Sequence, residues 1–149
     1  MERLIKYSKY VISILVLSCF VLLFFNCGVY RNGSIVLHES TGYEMIFGKQ
    51  TNGVSILKFN VIGFVLLLTM LASCVVLFLE KYIGKKTRLI SLVCLLTSSI
   101  LFFLLPSTVS HAVIKNAHLF SSLPCVIIGA NILFVTALFS IFIIVVKEE

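Results

Sequence analysis

Five cysteines and three histidines carry most of the chemistry this chain could offer, and their spacing decides what that chemistry can be. A membrane thiol oxidoreductase needs a closely spaced pair such as C-x-x-C, so that one thiolate attacks a disulfide and its neighbour resolves the mixed product. The chain has no such pair. Cys19, Cys74 and Cys94 lie within long apolar runs, where cysteine behaves as a small hydrophobe. Cys27 and Cys125 approach the same end of their runs, but their expected depths differ by about four residues, or about 6 Å, which argues against a bridge. His38, His111 and His118 have no ligand-like spacing and read as solvated loop histidines. With no nucleophile–base pair, carboxylate pair or metal-ligand cluster, the sequence gives catalysis no footing and implies no cofactor.

The elements that must position these residues follow from composition. The chain of 149 residues is 60% hydrophobic and 12% charged, with a mean hydropathy of +1.14, whereas a soluble domain is about 45–50% apolar and about 25% charged. Its apolar residues fall into four charge-free blocks: Tyr10 to Tyr30, Phe59 to Leu79, Leu89 to about Val109, and about Pro124 to Val146. Each is near or above the roughly 20 residues a helix needs to cross a bilayer. The blocks are continuously apolar and lack the alternation of barrel strands, so they are read as helices that satisfy their own backbone groups. The expected fold is an all-α membrane protein, a single domain over residues 1–149 made of a four-transmembrane-helix bundle, with an outer loop over about 31–58.

Basic residues near the helix ends set the orientation. With the N-terminus inside, Arg3, Lys6, Lys9, Lys81, Lys85, Lys86, Arg88 and Lys147 face the cytoplasm, and Arg31, Lys49, Lys58 and Lys115 face out, an eight-to-four split that places both termini in the cytoplasm. The net charge of +6 then requires no nucleic acid. Anionic lipid is the expected partner of Lys81, Lys85, Lys86 and Arg88, each basic residue contributing about 1 kcal/mol near such a surface. The basic, apolar N-terminus lacks an A-x-A-like cleavage site, so it reads as helix one and not as a secretory signal. VLSC at Cys19 and LASC at Cys74 sit mid-block, which argues against lipid modification, and the sequon at Asn32 lies too close to the membrane to be a glycosylation site. Tyr7, Tyr10, Tyr30, Tyr43 and Tyr82 are expected to form the interfacial belt in a chain without Trp. Pro106 and Pro124 read as helix boundaries.

No Asp, Glu, Lys, Arg or His lies inside any block, which removes the usual apparatus of a proton-coupled pump. Asn26 and Asn131 share an expected height of roughly 23 Å from the cytoplasmic ends and are expected to hydrogen-bond to each other as bundle glue, worth about 0.6 kcal/mol per bond. Thr69 with Ser73, and Ser91 with Cys94 and Ser98, are small residues at helical spacing that form packing seams.

The outer loop holds SIVLHE and VSILKF, two β-prone runs with Gly42, Gly48 and Asn52-Gly53 as turn signals, so one or two strand pairs, a short β-hairpin among them, are expected. Between them, GYEMIFG is too short to assign to helix or strand. Its residues Tyr43, Ile46 and Phe47 either fold back as a lid on the bundle or stand out as a docking patch, and the lid is favoured. This Gly-aromatic-x-x-Ile-Phe-Gly element, together with an apolar first helix and a third helix ending ILFFLLPSTVS, resembles a group of uncharacterised small four-helix integral membrane proteins of low-GC Gram-positive bacteria. The resemblance implies a fold and a bacterial source, and it transfers no catalytic or ligand residues. The topology is also similar to that of claudin-like and tetraspanin-like proteins, without the Trp and paired loop cysteines of the former. These features point to a non-enzymatic accessory, interaction or immunity-type envelope protein of the cell membrane, with a membrane-protein partner or a homo-oligomer. An oligomeric transporter or pore-forming subunit is the alternative.

Overall fold

The computed structural model describes residues 2–32, 35–52, 54–84, 86–110 and 118–148. It is mostly helical. In chain order, α1 (Glu2–Leu22) leads into β1 (Asn26–Asn32), β2 (Ile35–Thr41), α2 (Gly42–Phe47) and the pair β3 (Lys49–Thr51) and β4 (Val54–Leu57). There follow α3 (Val61–Phe78), a short α4 (Glu80–Ile83), α5 (Lys86–Leu104) with a 3-10 turn Leu105–Thr108, then β5 (His118–Ser122) and α6 (Pro124–Glu148). The segments 61–78, 86–108 and 124–145 are each long and apolar enough to cross a bilayer, which makes this a membrane protein.

The first helix ends at Leu22, well short of the expected Tyr30. Phe20, Val21 and Leu22 accept tight i→i+3 bonds from Leu23, Phe24 and Phe25, and the chain then turns into β1. Asn26 and Gly28 are poor helix formers, and the backbone at Gly28 is approached so closely that a Cβ would lie 2.9 Å from Met45 Cε. Hydropathy alone could not register this change, because Cys27, Val29 and Tyr30 are as apolar as the helix before them.

Two small sheets cover this end of the bundle. β1 is the central strand of the first, paired antiparallel with β2 on one side and β5 on the other. The IVLHE part of the β-prone SIVLHE run thus pairs with residues expected in a helix. β3 and β4 form the second, joined across Asn52-Gly53, and Asn52 takes the left-handed φ of 51° that such a two-residue connection demands. The sequon at Asn32 continues into Gly33 and Ser34, which lie outside the described residues, as does Gly53.

Below the sheets, α5 packs between α3 and α6, while α1 lies along α6 and also touches α3. Small side chains set the spacing. Ser91 Oγ donates to the Ser73 carbonyl at 3.0 Å and Ser98 Oγ to Thr69 Oγ1 at 2.8 Å, tying α5 to α3 along the expected seam. Ser99 Oγ donates to the Ala130 carbonyl at 2.9 Å on the α6 side. Gly129 lets the helices close further, since a Cβ there would meet the Phe102 ring at 2.6 Å. Val16, Leu66, Met70, Leu95, Phe102 and Leu133 fill the interior and are fully buried. The outward faces of α1, α3, α5 and α6 are apolar, with Ile14, Leu17, Val65, Leu68, Val93, Ile100, Val135 and Leu138 all exposed. A surface of this kind is stable under lipid and not under water.

Arg88, expected beside anionic lipid, is instead buried. Its side chain turns into the end of the bundle opposite the sheets, is only 7% exposed, and meets Glu80 in a two-pronged ion pair, Nε to Oε1 at 3.0 Å and Nη2 to Oε2 at 3.1 Å. Nη1 reaches Ser8 Oγ on α1 at 3.5 Å. A guanidinium at this depth requires a fork-like partner, and the α4 turn supplies it. Replacing Glu80 by Gln is expected to destabilise the protein by about 1–3 kcal/mol, between the range for surface pairs and that for buried ones. The measurement is thermal melting in mild detergent, with Lys86→Gln, at an exposed position, leaving the melting temperature unchanged.

Candidate functional site: the cap over the bundle

The stretch from Thr41 to Gly48 forms one closed turn of helix with its own termini satisfied. Thr41 Oγ1 accepts from the Glu44 backbone N–H at 3.2 Å, and Glu44 Oε2 accepts from the Thr41 N–H at 3.0 Å, a complete capping box. At the other end Gly48 adopts φ 89°, and a Cβ there would meet the Leu57 carbonyl oxygen at 2.7 Å. Glu44 also pairs with Lys49 at 3.0 Å. The S/T-x-x-E spacing of Thr41 and Glu44 was the signal in the sequence that identifies GYEMIF as helix.

Once formed, α2 divides its side chains between two environments. Met45 and Ile46 are fully buried, and Ile46 enters the bundle over Gly63, where a Cβ would lie 2.8 Å from Ile46 Cγ1 and 3.0 Å from Leu105. Ile46 is therefore a lid residue. Phe47 is not, because it is 51% exposed. Its ring stacks on Tyr43 at 5.9 Å, and Tyr43 in turn meets Phe24 at 4.4 Å. With Phe25 and Phe59 also exposed, the aromatic residues form a rim around the cap.

Asn60 locks the cap to the helices. Its Oδ1 accepts from Ile62 N at 3.1 Å and Gly63 N at 3.3 Å, capping α3, and its Nδ2 donates to Thr108 Oγ1 at 2.9 Å. Its backbone N–H donates to the Ile46 carbonyl at 2.9 Å, so one residue ties α2, α3 and the 3-10 turn together. Tyr30, expected in an interfacial belt, is instead buried, and its hydroxyl donates to the Pro106 carbonyl at 2.8 Å. Burial pushes its pKa up, with nearby Cys27 adding to the effect. The hydroxyl stays protonated and can keep donating. His38 stacks on the Tyr30 ring at 5.3 Å; His111 and the His118 side chain lie outside the described residues.

The expected bond between Asn26 and Asn131 is absent, each amide having a different partner. Asn26 stands in β1 and donates to Glu39 Oε2 at 2.7 Å. Asn131 donates to the Ile127 carbonyl one turn back along α6 at 2.8 Å and is exposed on the apolar flank. Counting both residues along helices assumed that α1 continued past Leu22.

The same assumption misplaced the two cysteines. Cys27 Sγ and Cys125 Sγ are 3.3 Å apart, because the chain reaches Cys27 as a strand and Cys125 opens the first turn of α6. Lys85 and the side chain of Lys81 lie outside the described residues, while Lys86 is exposed. No protein-family model matches the chain, and neither a curated protein nor a solved structure does.

The cap makes different demands on neighbouring residues. Ile46→Ala should destabilise the protein by about 2–5 kcal/mol, as expected for a fully buried side chain whose removal leaves a cavity, whereas Phe47→Ala should change stability by less than about 1 kcal/mol. Thermal melting of both variants in detergent measures this, and equal effects would contradict the division of α2 into buried and exposed faces.

Proposed function

We propose that the chain is a four-span bacterial cell-membrane protein with both termini in the cytoplasm and the cap outside, acting as a non-enzymatic accessory or interaction subunit of the immunity or envelope type. The observation that carries the interaction reading is Asn131. Its amide is exposed about two turns into α6, within an apolar segment whose other polar side chains, Thr136 and Ser140, are buried. An amide has two donors and two acceptor lone pairs, and among the described residues its one recorded bond is a donation to Ile127. In hydrocarbon the remaining capacity favours a neighbouring helix, with interhelical bonds averaging about 0.6 kcal/mol. Two apolar grooves flank it. One, of about 350 Å³, lies against α5 at Ser99 and Phe103, and the other, of about 370 Å³, lies against α1 at Leu15.

The fourth span is α1. Its apolar part, Tyr7–Leu22, extends roughly 24 Å, and it exposes Val11, Ile14, Leu17 and Val21 in the same way α3, α5 and α6 expose their outer faces. A partner-binding role needs only this bundle and a stable outer surface. A pore would need a polar lining, whereas the buried hydroxyls of Ser73, Ser91 and Ser99 donate to helix carbonyls. Lys86, exposed at the opposite end, is left to contact anionic lipid.

Two experiments test the reading. A reporter active only in the cytoplasm is expected to work when fused at the C-terminus and to be silent when inserted at Asn52; the reverse pattern would invert the orientation. Asn131→Leu is expected to weaken self-association, or co-purification of a membrane protein in mild detergent, by about threefold while leaving the melting temperature of the isolated chain unchanged. Association with unchanged affinity would remove Asn131 as the contact.

A further inference from the structure

The Cys27 and Cys125 thiols are held together by more than chance proximity. The Leu123 N–H donates to the Cys27 carbonyl at 3.1 Å, and Cys125 Sγ donates to the Asn26 carbonyl at 2.7 Å, so backbone and side chain from both segments fix the approach. The sulfurs are 3.3 Å apart although the residues are 98 positions apart in sequence. Cys27 is fully buried and Cys125 is partly exposed.

We propose that Cys27 and Cys125 are a modification site and are joined in the cell by a disulfide that ties β1 to the first turn of α6. The proposal rests on the outward orientation of the cap, since disulfides persist in oxidising compartments outside the cytoplasm. The oxidant is a disulfide-bearing donor, either a protein dithiol–disulfide oxidoreductase or a small-molecule disulfide. The accessible Cys125 thiolate attacks one donor sulfur, breaking the donor S–S bond and releasing the first donor thiol. Cys27, deprotonated, then attacks the Cys125 sulfur of the mixed disulfide, and the second donor thiol leaves. Two protein thiols lose two electrons and two protons, and the donor disulfide gains them.

Burial, reinforced by the neighbouring Cys125, pushes the Cys27 pKa up, so closure is slow near neutral pH and quickens as pH rises. These properties suit a staple made once and kept, not a dithiol that cycles. Because the bond closes a long loop, it constrains the unfolded chain strongly.

The test is alkylation of whole cells under denaturing conditions before any reductant is added, followed by non-reducing peptide mapping of the purified full-length chain. The expected result is a Cys27–Cys125 linked peptide, with Cys19, Cys74 and Cys94 alkylated. Reductant should lower the melting temperature by roughly 5 °C or more, and Cys125→Ser should melt at the same temperature with and without it. Both cysteines alkylated in cells would overturn the proposal, and treatment of the purified protein with oxidised glutathione then separates the reasons. Closure in vitro would trace the failure to a cap facing the cytoplasm, which the reporter at Asn52 would show independently. Absence of closure would mean that the thiols cannot bond, whatever the orientation.

Discussion

A chain that leaves a helix inside a membrane protein must find partners for every peptide group at once, and β1 is where this chain does so after α1. Within lipid, an exposed strand would leave unpaired N–H and C=O groups that cost several kcal/mol each. β1 avoids this by lying between β2 and β5, with both of its edges occupied. Because β5 leads directly into α6 and β1 emerges from α1, this pairing also fixes the cap ends of two helices that are far apart in sequence. The Tyr30 hydroxyl on the Pro106 carbonyl extends the same constraint to the end of α5. Only α3 needs a separate attachment, and Asn60 provides it.

Inside the bundle the constraint is different, because lipid removes the hydrophobic drive between helices and leaves close packing and polar contacts to hold them. Ser91, Ser98 and Ser99 meet this need from one helix in two directions, the first two toward α3 and the third toward α6. That explains why α5 is the middle element. Gly129 and Phe102 add a large-on-small contact on the α6 side, where the ring occupies the space a side chain would have taken. At the bundle end away from the cap, Arg88 and Glu80 repeat the pattern with charge, joining α4 and α5 and reaching α1 through Ser8.

What was legible in the sequence depended on whether a residue's role followed from its near neighbours. The cores of three apolar spans, the small-residue seam and the turn signal at Asn52 all follow from local periodicity or turn chemistry, and each is present at its expected place. The end of α1 was not legible, since hydropathy registers how apolar a residue is and not whether its backbone is helical; Cys27, Val29 and Tyr30 satisfy either reading. From that one misplaced boundary came the expected Asn26–Asn131 bond, the apparent depth mismatch of Cys27 and Cys125, and the position of Tyr30 in a surface belt. Arg88 was misread for another reason. Its partner Glu80 lies across the Gly84 turn, eight residues back, and no helical spacing links them.

The short helix over the bundle shows why lid and docking patch were hard to separate from sequence. A single turn has too few residues to devote wholly to one role, and successive side chains on a helix point about 100° apart. Met45 and Ile46 therefore face inward together, while exposed Phe47 stacks on half-buried Tyr43 four residues back. The inward pair fixes the position of the helix, and the capping box and Gly48 fix its length. With the backbone so constrained, Phe47 and Tyr43 hold their rings in one stacked arrangement. The buried pair thus fixes the geometry of the rim, and Phe47 can change identity at little cost to the fold because Ile46 does not.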